Sequence, residues 1–138
     1  MLAFLDASAV IYLLEGDVPT RESVRRVLRD LEREAGEAPV LVVSTLSRLE
    51  CRVRPLREAN APALERLDAF FDDPGLSVVA VETVVLDKAT QLRAHHGLRT
   101  PEAIQAASLL TVDPEGVFVT GDSDFKKIPY LRVEQIPP

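Results

Sequence analysis

The 138 residues, 46% of them hydrophobic, suffice for one domain with a substantial core and exclude a disordered chain. No apolar run approaches the roughly 18 residues that span a bilayer, and no secretory signal is visible, so we expect a cytoplasmic protein without a membrane segment. The single cysteine excludes an internal disulfide. Because the net charge is −6, attraction to a nucleic acid would depend on local basic clusters or on bound cations.

Short apolar runs predict buried strands, and periodic apolar positions between capping residues predict helices. Strands alternating with helices indicate a three-layer α/β/α sandwich around a central, mainly parallel sheet of about five strands, within a single domain spanning residues 1–138. The predicted elements are strand 2–5, helix 7–14, a helix capped by Thr20 that ends near 34, strand 40–43, a helix capped by Ser44, a helix that begins at Asn60 and Pro62, strand 77–81, a helix capped by Thr83 that ends near 95, a helix capped by Thr100 that ends near 111, strand 117–119 and an edge strand 130–133.

Several predicted helices carry more apolar residues than one small core can bury. On the helix capped by Ser44, the predicted inward positions are Leu46, Leu49, Val53 and Leu56. We nevertheless expect some apolar side chains to remain exposed, and an exposed apolar surface of this kind is typical of a protein interface. The residues that cannot all face the interior are Ile11, Leu13, Leu14, Val53 and Leu56.

Five carboxylates lie at the ends of apolar runs. In a parallel sheet the carboxyl ends of neighbouring strands open onto one crevice, so we expect these acids to converge there. Crowded carboxylates are costly without a bound cation, and at least one pKa should be raised by its neighbours. Hard oxygen ligands suit Mg²⁺ or Mn²⁺, which can activate water for phosphodiester hydrolysis. The candidate catalytic and metal-binding residues are Asp6, Glu50, Glu102, Asp122 and Asp124.

Each acid also has a purely structural interpretation. Asp6 is a good helix N-cap, Glu50 could pair with Arg54 one helical turn later, and Glu102 suits the positive end of its helix. The D-x-D pair after the fourth strand is typical of a turn. No phosphate-binding glycine loop, zinc-ligand pair or serine-hydrolase elbow occurs in the sequence.

Four segments, taken in order and spacing, resemble the motifs of PIN-domain nucleases. They are Leu-Asp-Ala-Ser-Ala-Val-Ile at 5–11, Ser-Thr-Leu-Ser-Arg-Leu-Glu at 44–50, Leu-Arg-Thr-Pro-Glu-Ala-Ile-Gln-Ala-Ala at 98–107 and Thr-Gly-Asp-Ser-Asp-Phe at 120–125. The resemblance covers the whole chain. The length resembles that of single-domain VapC-type toxins of toxin–antitoxin pairs.

The resemblance implies a parallel sheet of about five strands between helices and Mg²⁺- or Mn²⁺-dependent RNA cleavage. It places the family's acids at Asp6, Glu50, Glu102 and Asp122, with Asp124 as an additional acid. Ser8 and Thr120 match positions that support the acids by hydrogen bonds. The family usually has aspartate where this chain has Glu102, whose extra methylene lengthens the reach by about 1.5 Å. The resemblance also implies a homodimer and an antitoxin whose helix brings an Arg or Lys to the acids.

The leading hypothesis is therefore an endoribonuclease toxin that cleaves RNA with a metal-activated water. An alternative is a catalytically weakened RNA-binding or protein-interaction module, which the glutamate at 102 favours. A phosphatase-like enzyme with Asp6 as phosphoryl acceptor is a weaker alternative, because Ser8 stands where that chemistry needs a second acid. Residues that flank the acids are candidate RNA contacts, although solvated surface charge is the simpler interpretation of each: Arg48, Arg99, Lys126 and Lys127.

Overall fold

The computed structural model describes residues 1–137. Strands and helices alternate through most of the chain, as predicted, and a short 3₁₀ turn at Ser123–Lys127 follows the fourth strand. No helix within residues 1–137 has the length and apolarity to cross a membrane. The elements are β1 (Leu2–Leu5), α1 (Ala7–Glu15), α2 (Val18–Ala35), β2 (Val40–Ser44), α3 (Thr45–Arg57), α4 (Ala61–Phe71), β3 (Ser77–Val79), α5 (Thr83–His96), α6 (Thr100–Val112), β4 (Val117–Thr120) and β5 (Arg132–Gln135).

The five strands form one sheet in the order β3-β2-β1-β4-β5, and every neighbouring pair is parallel. The predicted α/β/α sandwich with a parallel sheet is thereby confirmed. The chain builds outward from β1 on one side, through β2 and β3, and then returns to the other side with β4. A crevice opens at such a reversal, beyond the carboxyl ends of the two strands that flank it. Here those strands are β1 and β4.

Alternation along β1 divides the core into two layers, because successive side chains of a strand point to opposite faces. Phe4 packs with α5 and α6 and stacks on Phe118, with ring centroids 5.3 Å apart. Ala3 and Leu5 face the other side, where α1 to α4 pack. With both faces covered, the central strands are apolar almost throughout, as their sequences indicated.

Three helices start earlier than predicted. Asp17, not Thr20, caps α2, and its carboxylate accepts the backbone N–H of Thr20 at 2.9 Å. Arg99, not Thr100, caps α6, because the Glu102 carboxylate accepts the backbone N–H of Arg99 at 3.1 Å. The N-cap of α5 is Glu82, one residue before the predicted Thr83, and its side chain makes no capping hydrogen bond. The cap of α2 is thus an acid where a threonine was predicted, and in α6 the acid at the third helical position accepts the N–H of the cap residue.

Two strands also differ from their predicted bounds. β3 ends at Val79, since the next residues turn and the Val81 N–H donates to the Thr45 hydroxyl at 3.3 Å. β5 begins at Arg132 because Leu131 still belongs to a turn, where its N–H donates to Ile128.

The prediction for the inward face of α3 was wrong at three of its four positions, and Leu46 is half-buried. Leu49, Val53 and Leu56 are 61%, 48% and 64% exposed. The fully buried residues of α3 are instead Ser47 and Cys51. The helix is rotated so that polar residues face inward, which the hydrogen bonds of the acidic crevice explain below.

Candidate active site

Asp6 leaves β1 at its carboxyl end and serves two structural purposes there. Its Oδ1 accepts hydrogen bonds from the Ala9 backbone N–H at 2.9 Å and the Ser8 hydroxyl at 2.6 Å. Its Oδ2 accepts a hydrogen bond from the Thr120 hydroxyl at 2.5 Å. The side chain is therefore the N-cap of α1, and it also lies beside the end of β4. Only 5% of the residue is exposed.

Burial raises the pKa of the Asp6 carboxyl above its ordinary value. Hydrogen bonds from Ser8, Thr120 and the Ala9 backbone act against this rise, and the negative charge of Asp122 adds a smaller upward contribution. A raised carboxylate pKa was expected, but removal from water contributes more to it than neighbouring charge does. The ionised form of Asp6 is thus disfavoured until a cation approaches.

Ser8 and Thr120 join the first and fourth motifs. The Thr120 hydroxyl accepts the Asp122 N–H, and the Ser8 hydroxyl accepts the Gly121 N–H, each at 2.9 Å. Both hydroxyls donate to Asp6 and accept from the loop after β4, so they fix that loop against the start of α1. A Cβ at Gly121 would lie 2.4 Å from the Tyr12 ring, which explains the glycine.

The third motif brings Glu102, at the start of α6, to the acids that follow β4. One carboxylate oxygen each from Glu102, Asp122 and Asp124 lie within 4.8 Å of one another. Asp122 also accepts the Asp124 N–H at 2.9 Å, which holds the 3₁₀ turn in place. The group offers oxygen donors alone, a set that suits Mg²⁺ or Mn²⁺.

Glu50 is held by Gln105, a residue that the sequence interpretation missed. The Gln105 amide donates to the Ser47 hydroxyl at 2.9 Å and to the Glu50 carboxylate at 2.8 Å. Glu50 does not pair with Arg54, whose guanidinium instead contacts Glu58 at 3.0 Å. A glutamine between apolar residues in a core helix was the available signal. These bonds turn the polar face of α3 inward.

The acids meet in one open crevice with an empty volume of about 580 Å³. Asp6, Glu50, Glu102 and Asp122 all line it, although they come from four separate parts of the chain. Asp124 joins them through its approach to Glu102 and Asp122. The structure therefore brings together the five acids that the sequence singled out.

The four candidate basic contacts have different surroundings. Arg99 lines the crevice itself and pairs with Glu102. Arg48 faces away toward acids of α4 and the following turn, with closest distances of 3.7 and 3.8 Å. Lys126 and Lys127 are exposed, and neither forms an ion pair within residues 1–137.

Arg99 and Glu102 shift each other's protonation equilibria. Burial acts to raise the pKa of the Glu102 carboxyl, but the hydrogen bonds and charge of Arg99 outweigh it and hold that pKa below its ordinary value. The pKa of Arg99 is raised, first by Glu102 and to a smaller extent by Asp124 and Asp122. Both side chains are therefore charged at neutral pH.

A second groove adjoins the crevice between α1, α3 and α4. Ile11, Leu67 and Cys51 contribute to its lining, and Glu50 lines both cavities. Burial, assisted by the charges of Glu50 and Asp6, raises the pKa of the Cys51 thiol to about 12. Cys51 therefore remains a thiol and packs as an apolar side chain.

A family model described as PIN domain matches residues 3–130. Among solved structures, the chain is similar to VapBC2 from Rickettsia felis bound to a promoter DNA fragment (16% identity, 99% of this chain and 100% of that chain, TM-score 0.77). It is also similar to a toxin–antitoxin complex from Klebsiella pneumoniae (18% identity, 98% of this chain and 98% of that chain, TM-score 0.73). A third similar structure is FitAcB from Neisseria gonorrhoeae (17% identity, 96% of this chain and 96% of that chain, TM-score 0.71). No curated protein matches. At these identities the solved structures show a shared fold, and the family match across nearly the whole length shows that the chain belongs to the PIN domain family.

Proposed function

We propose that this protein is a metal-dependent endoribonuclease, the VapC-type toxin of a toxin–antitoxin pair, with residues 1–138 as its single nuclease domain. The observation that carries the proposal is the convergence of acids from separate elements into one crevice. Three of them each bring a carboxylate oxygen within 4.8 Å of the other two. Membership of a nuclease family supports the same reaction. The arrangement is costly for folding alone, so a function that uses it is the simplest reason for its presence.

The residues of the crevice fit a divalent ion. The proposed ligands, Asp6, Glu50, Glu102, Asp122 and Asp124, present only carboxylate oxygens. The Gln105 Oε1 is also buried without a hydrogen-bond partner among residues 1–137, which leaves one more oxygen acceptor at the same place. When bound, Mg²⁺ or Mn²⁺ would supply an activated water and neutralise charge on the scissile phosphate.

The protein's own side chains prepare this site. Ser8 and Thr120 hold the Asp6 carboxylate in one orientation, and Gln105 does the same for Glu50. The exposed Lys126 and Lys127 follow Asp124 within three residues and would attract the RNA backbone toward the acids.

Metal-titrated cleavage of a single-stranded RNA tests the proposal. Wild-type protein should cleave with Mg²⁺ or Mn²⁺ and lose cleavage in EDTA, and Asp6→Asn should abolish it because metal binding depends on the carboxylate charge. Asp17→Asn is the matched control, since Asp17 is also a helix N-cap but lies outside the crevice. Wild-type protein that binds RNA without cleaving it would support the alternative of a weakened binding module.

The groove beside Glu50 suits an antitoxin segment. We propose that an amphipathic antitoxin helix lies in this groove and carries an Arg or Lys to the crevice, because the groove and the crevice share Glu50. The similar solved structures from Rickettsia felis and Klebsiella pneumoniae are toxin–antitoxin complexes, which supports a partner of this kind.

The exposed stripe of Leu49, Val53 and Leu56 on α3 is the proposed homodimer surface. Light scattering should give twice the 15.2 kDa mass of one chain. Val53→Glu should lower the measured mass to the 15.2 kDa of one chain. A wild-type monomer at high micromolar concentration would contradict the dimer.

A further inference from the structure

Both oxygens of the Glu102 carboxylate accept hydrogen bonds from Arg99. Its Oε1 accepts hydrogen bonds from Nε and Nη2 of Arg99, at 2.9 and 2.5 Å. Its Oε2 accepts the backbone N–H of Arg99 at 3.1 Å. The Glu102 side chain is only 7% exposed, whereas that of Arg99 is 76% exposed at the crevice. A buried acid thus holds an exposed cation at the mouth of the site.

Glutamate suits this arrangement better than aspartate would. At the third position of a helix, a glutamate reaches back to the N-cap N–H, as in the capping box. Here it does so while the same carboxylate accepts the guanidinium. An aspartate at 102 would end about 1.5 Å short of these partners. Glutamate at 102 is therefore explained by its contacts with Arg99, which it anchors.

The anchored guanidinium stands where a cation is needed. One carboxylate oxygen of Glu102 lies within 4.8 Å of one from Asp122 and one from Asp124, so the guanidinium bound to Glu102 brings a positive charge to this group of acids. The Nη1 of Arg99 makes no hydrogen bond within residues 1–137 and is free to donate. A guanidinium stays charged at all relevant pH values and matches the geometry of phosphate oxygens.

We propose that Arg99 takes the place of a second metal ion, that Glu102 is its positioning residue and not a metal ligand, and that Arg99 contacts the scissile phosphate directly. The inference rests on the proposed nuclease function and narrows its ligand set to Asp6, Glu50, Asp122 and Asp124. One divalent ion and one arginine then share the neutralisation of the acids and of the phosphate.

Counting bound Mn²⁺ tests this assignment without measuring activity. Electron paramagnetic resonance titration should give one Mn²⁺ per wild-type chain. Glu102→Gln, which keeps a helix-capping side chain at this position, should still bind one ion with affinity within about threefold, because it removes no metal ligand. Arg99→Gln frees Glu102 and should gain a second ion. Arg57 is an exposed arginine of α3 that lies outside the crevice, so Arg57→Gln is the control and should bind one Mn²⁺ ion.

Cleavage measurements then test the contact with phosphate. Arg99→Ala should lower kcat about 100-fold, as loss of one charge-stabilising donor typically does. Added methylguanidinium should restore part of that rate in Arg99→Ala and none in Asp6→Asn. A purely structural arginine would not show this rescue.

Two results would overturn the inference. Wild-type protein that binds two Mn²⁺, one of which is lost in Glu102→Gln, would make Glu102 a metal ligand. Failure of methylguanidinium to rescue Arg99→Ala would remove the catalytic contact. In both cases the wild-type protein would still cleave RNA, which leaves the nuclease proposal standing. Wild-type protein that binds no Mn²⁺ and cleaves no RNA would overturn both.

Discussion

Asp6 stabilises the fold as a helix cap and destabilises it as a buried charge. The cap contributes hydrogen bonds to Oδ1 that Asn would keep, since an amide oxygen accepts as well. The charge is the costly part, because the carboxylate has left water without gaining a cationic partner. Removing the charge and keeping the cap should therefore separate the two effects.

We predict that Asp6→Asn raises the melting temperature of the metal-free protein at neutral pH. The folded-state pKa of Asp6 lies above its unfolded value, so its stabilising contribution is complete below the unfolded pKa and is lost as pH rises through the folded pKa. A permanently neutral Asn avoids this loss. We expect a gain of about 3 °C, which corresponds to roughly 1 kcal/mol for a domain of this size.

Thermal unfolding in EDTA at pH 8 and at about pH 4 checks this prediction, and the gain should shrink at the lower pH. Asp17→Asn is the control, because the pKa of Asp17 is shifted in the opposite direction from that of Asp6. Hydrogen bonds from Thr20 lower the pKa of the exposed Asp17. Asp17→Asn should bring no gain at pH 8. A lower melting temperature for Asp6→Asn would mean that the cap depends on the charge.

At the scale of elements, the apolar runs predicted the strands and the order of helices, because burial on both faces of a parallel sheet leaves a clear pattern. Strand direction predicted the convergence of Asp6, Asp122 and Asp124, whereas Glu50 and Glu102 lie on helices and were added by the resemblance of their motifs. The inward face of α3 could not be predicted from its own sequence. Its residues Ser47 and Glu50 face inward because they accept hydrogen bonds from Gln105, which lies on a helix distant in sequence. The spacing of apolar residues along one helix does not reveal a hydrogen bond to another helix.

The exposed stripe of α3 can be tested directly. We predict that Leu56→Glu changes the free energy of unfolding of the metal-free protein by less than about 0.5 kcal/mol, as expected for a surface position. Leu67→Ala in α4 should cost about 2–5 kcal/mol, because Leu67 is fully buried. Urea denaturation at low protein concentration measures both. Equal costs would mean that Leu56 packs inward after all.

Hydrogen bonds from Gln105 link α6 to α3, and their loss should affect both stability and metal binding. We predict that Gln105→Leu lowers stability by about 1–3 kcal/mol, because Ser47 and Glu50 lose their shared donor in a buried setting. It should also weaken Mn²⁺ binding, as Glu50 is no longer oriented. Gln91→Leu, on the exposed side of α5, is the control and should change neither property. Unchanged Mn²⁺ affinity in Gln105→Leu would remove Glu50 from the site.

At the scale of the whole molecule, the net charge of −6 must be reconciled with the proposed RNA substrate. Five of the 22 acids converge at the crevice, where bound cations would offset their charge, and Lys126 and Lys127 lie just beyond the crevice acids in the chain. Binding of RNA should therefore be local and dependent on salt, because each phosphate contact releases counterions.

We predict that Lys126→Gln with Lys127→Gln weakens RNA binding and reduces the slope of log K against log salt by about 1.4, roughly 0.7 for each phosphate contact to a single strand. Fluorescence anisotropy with Asp6→Asn protein, which we expect not to cleave RNA, gives the slope. Arg26→Gln on α2, outside the crevice, is the control and should leave it unchanged. An unaltered slope in the lysine variant would exclude these lysines as RNA contacts.

The central claim is that the convergent acids form a divalent metal site. Thermal unfolding of wild-type protein across a Mn²⁺ titration tests it most directly, because a ligand that binds only the folded state at 100 times its Kd stabilises by about 2.7 kcal/mol. We predict that the wild-type melting temperature rises continuously with Mn²⁺ and that the rise is absent in Asp6→Asn. A wild-type melting temperature that stays constant up to millimolar Mn²⁺ would contradict the claim.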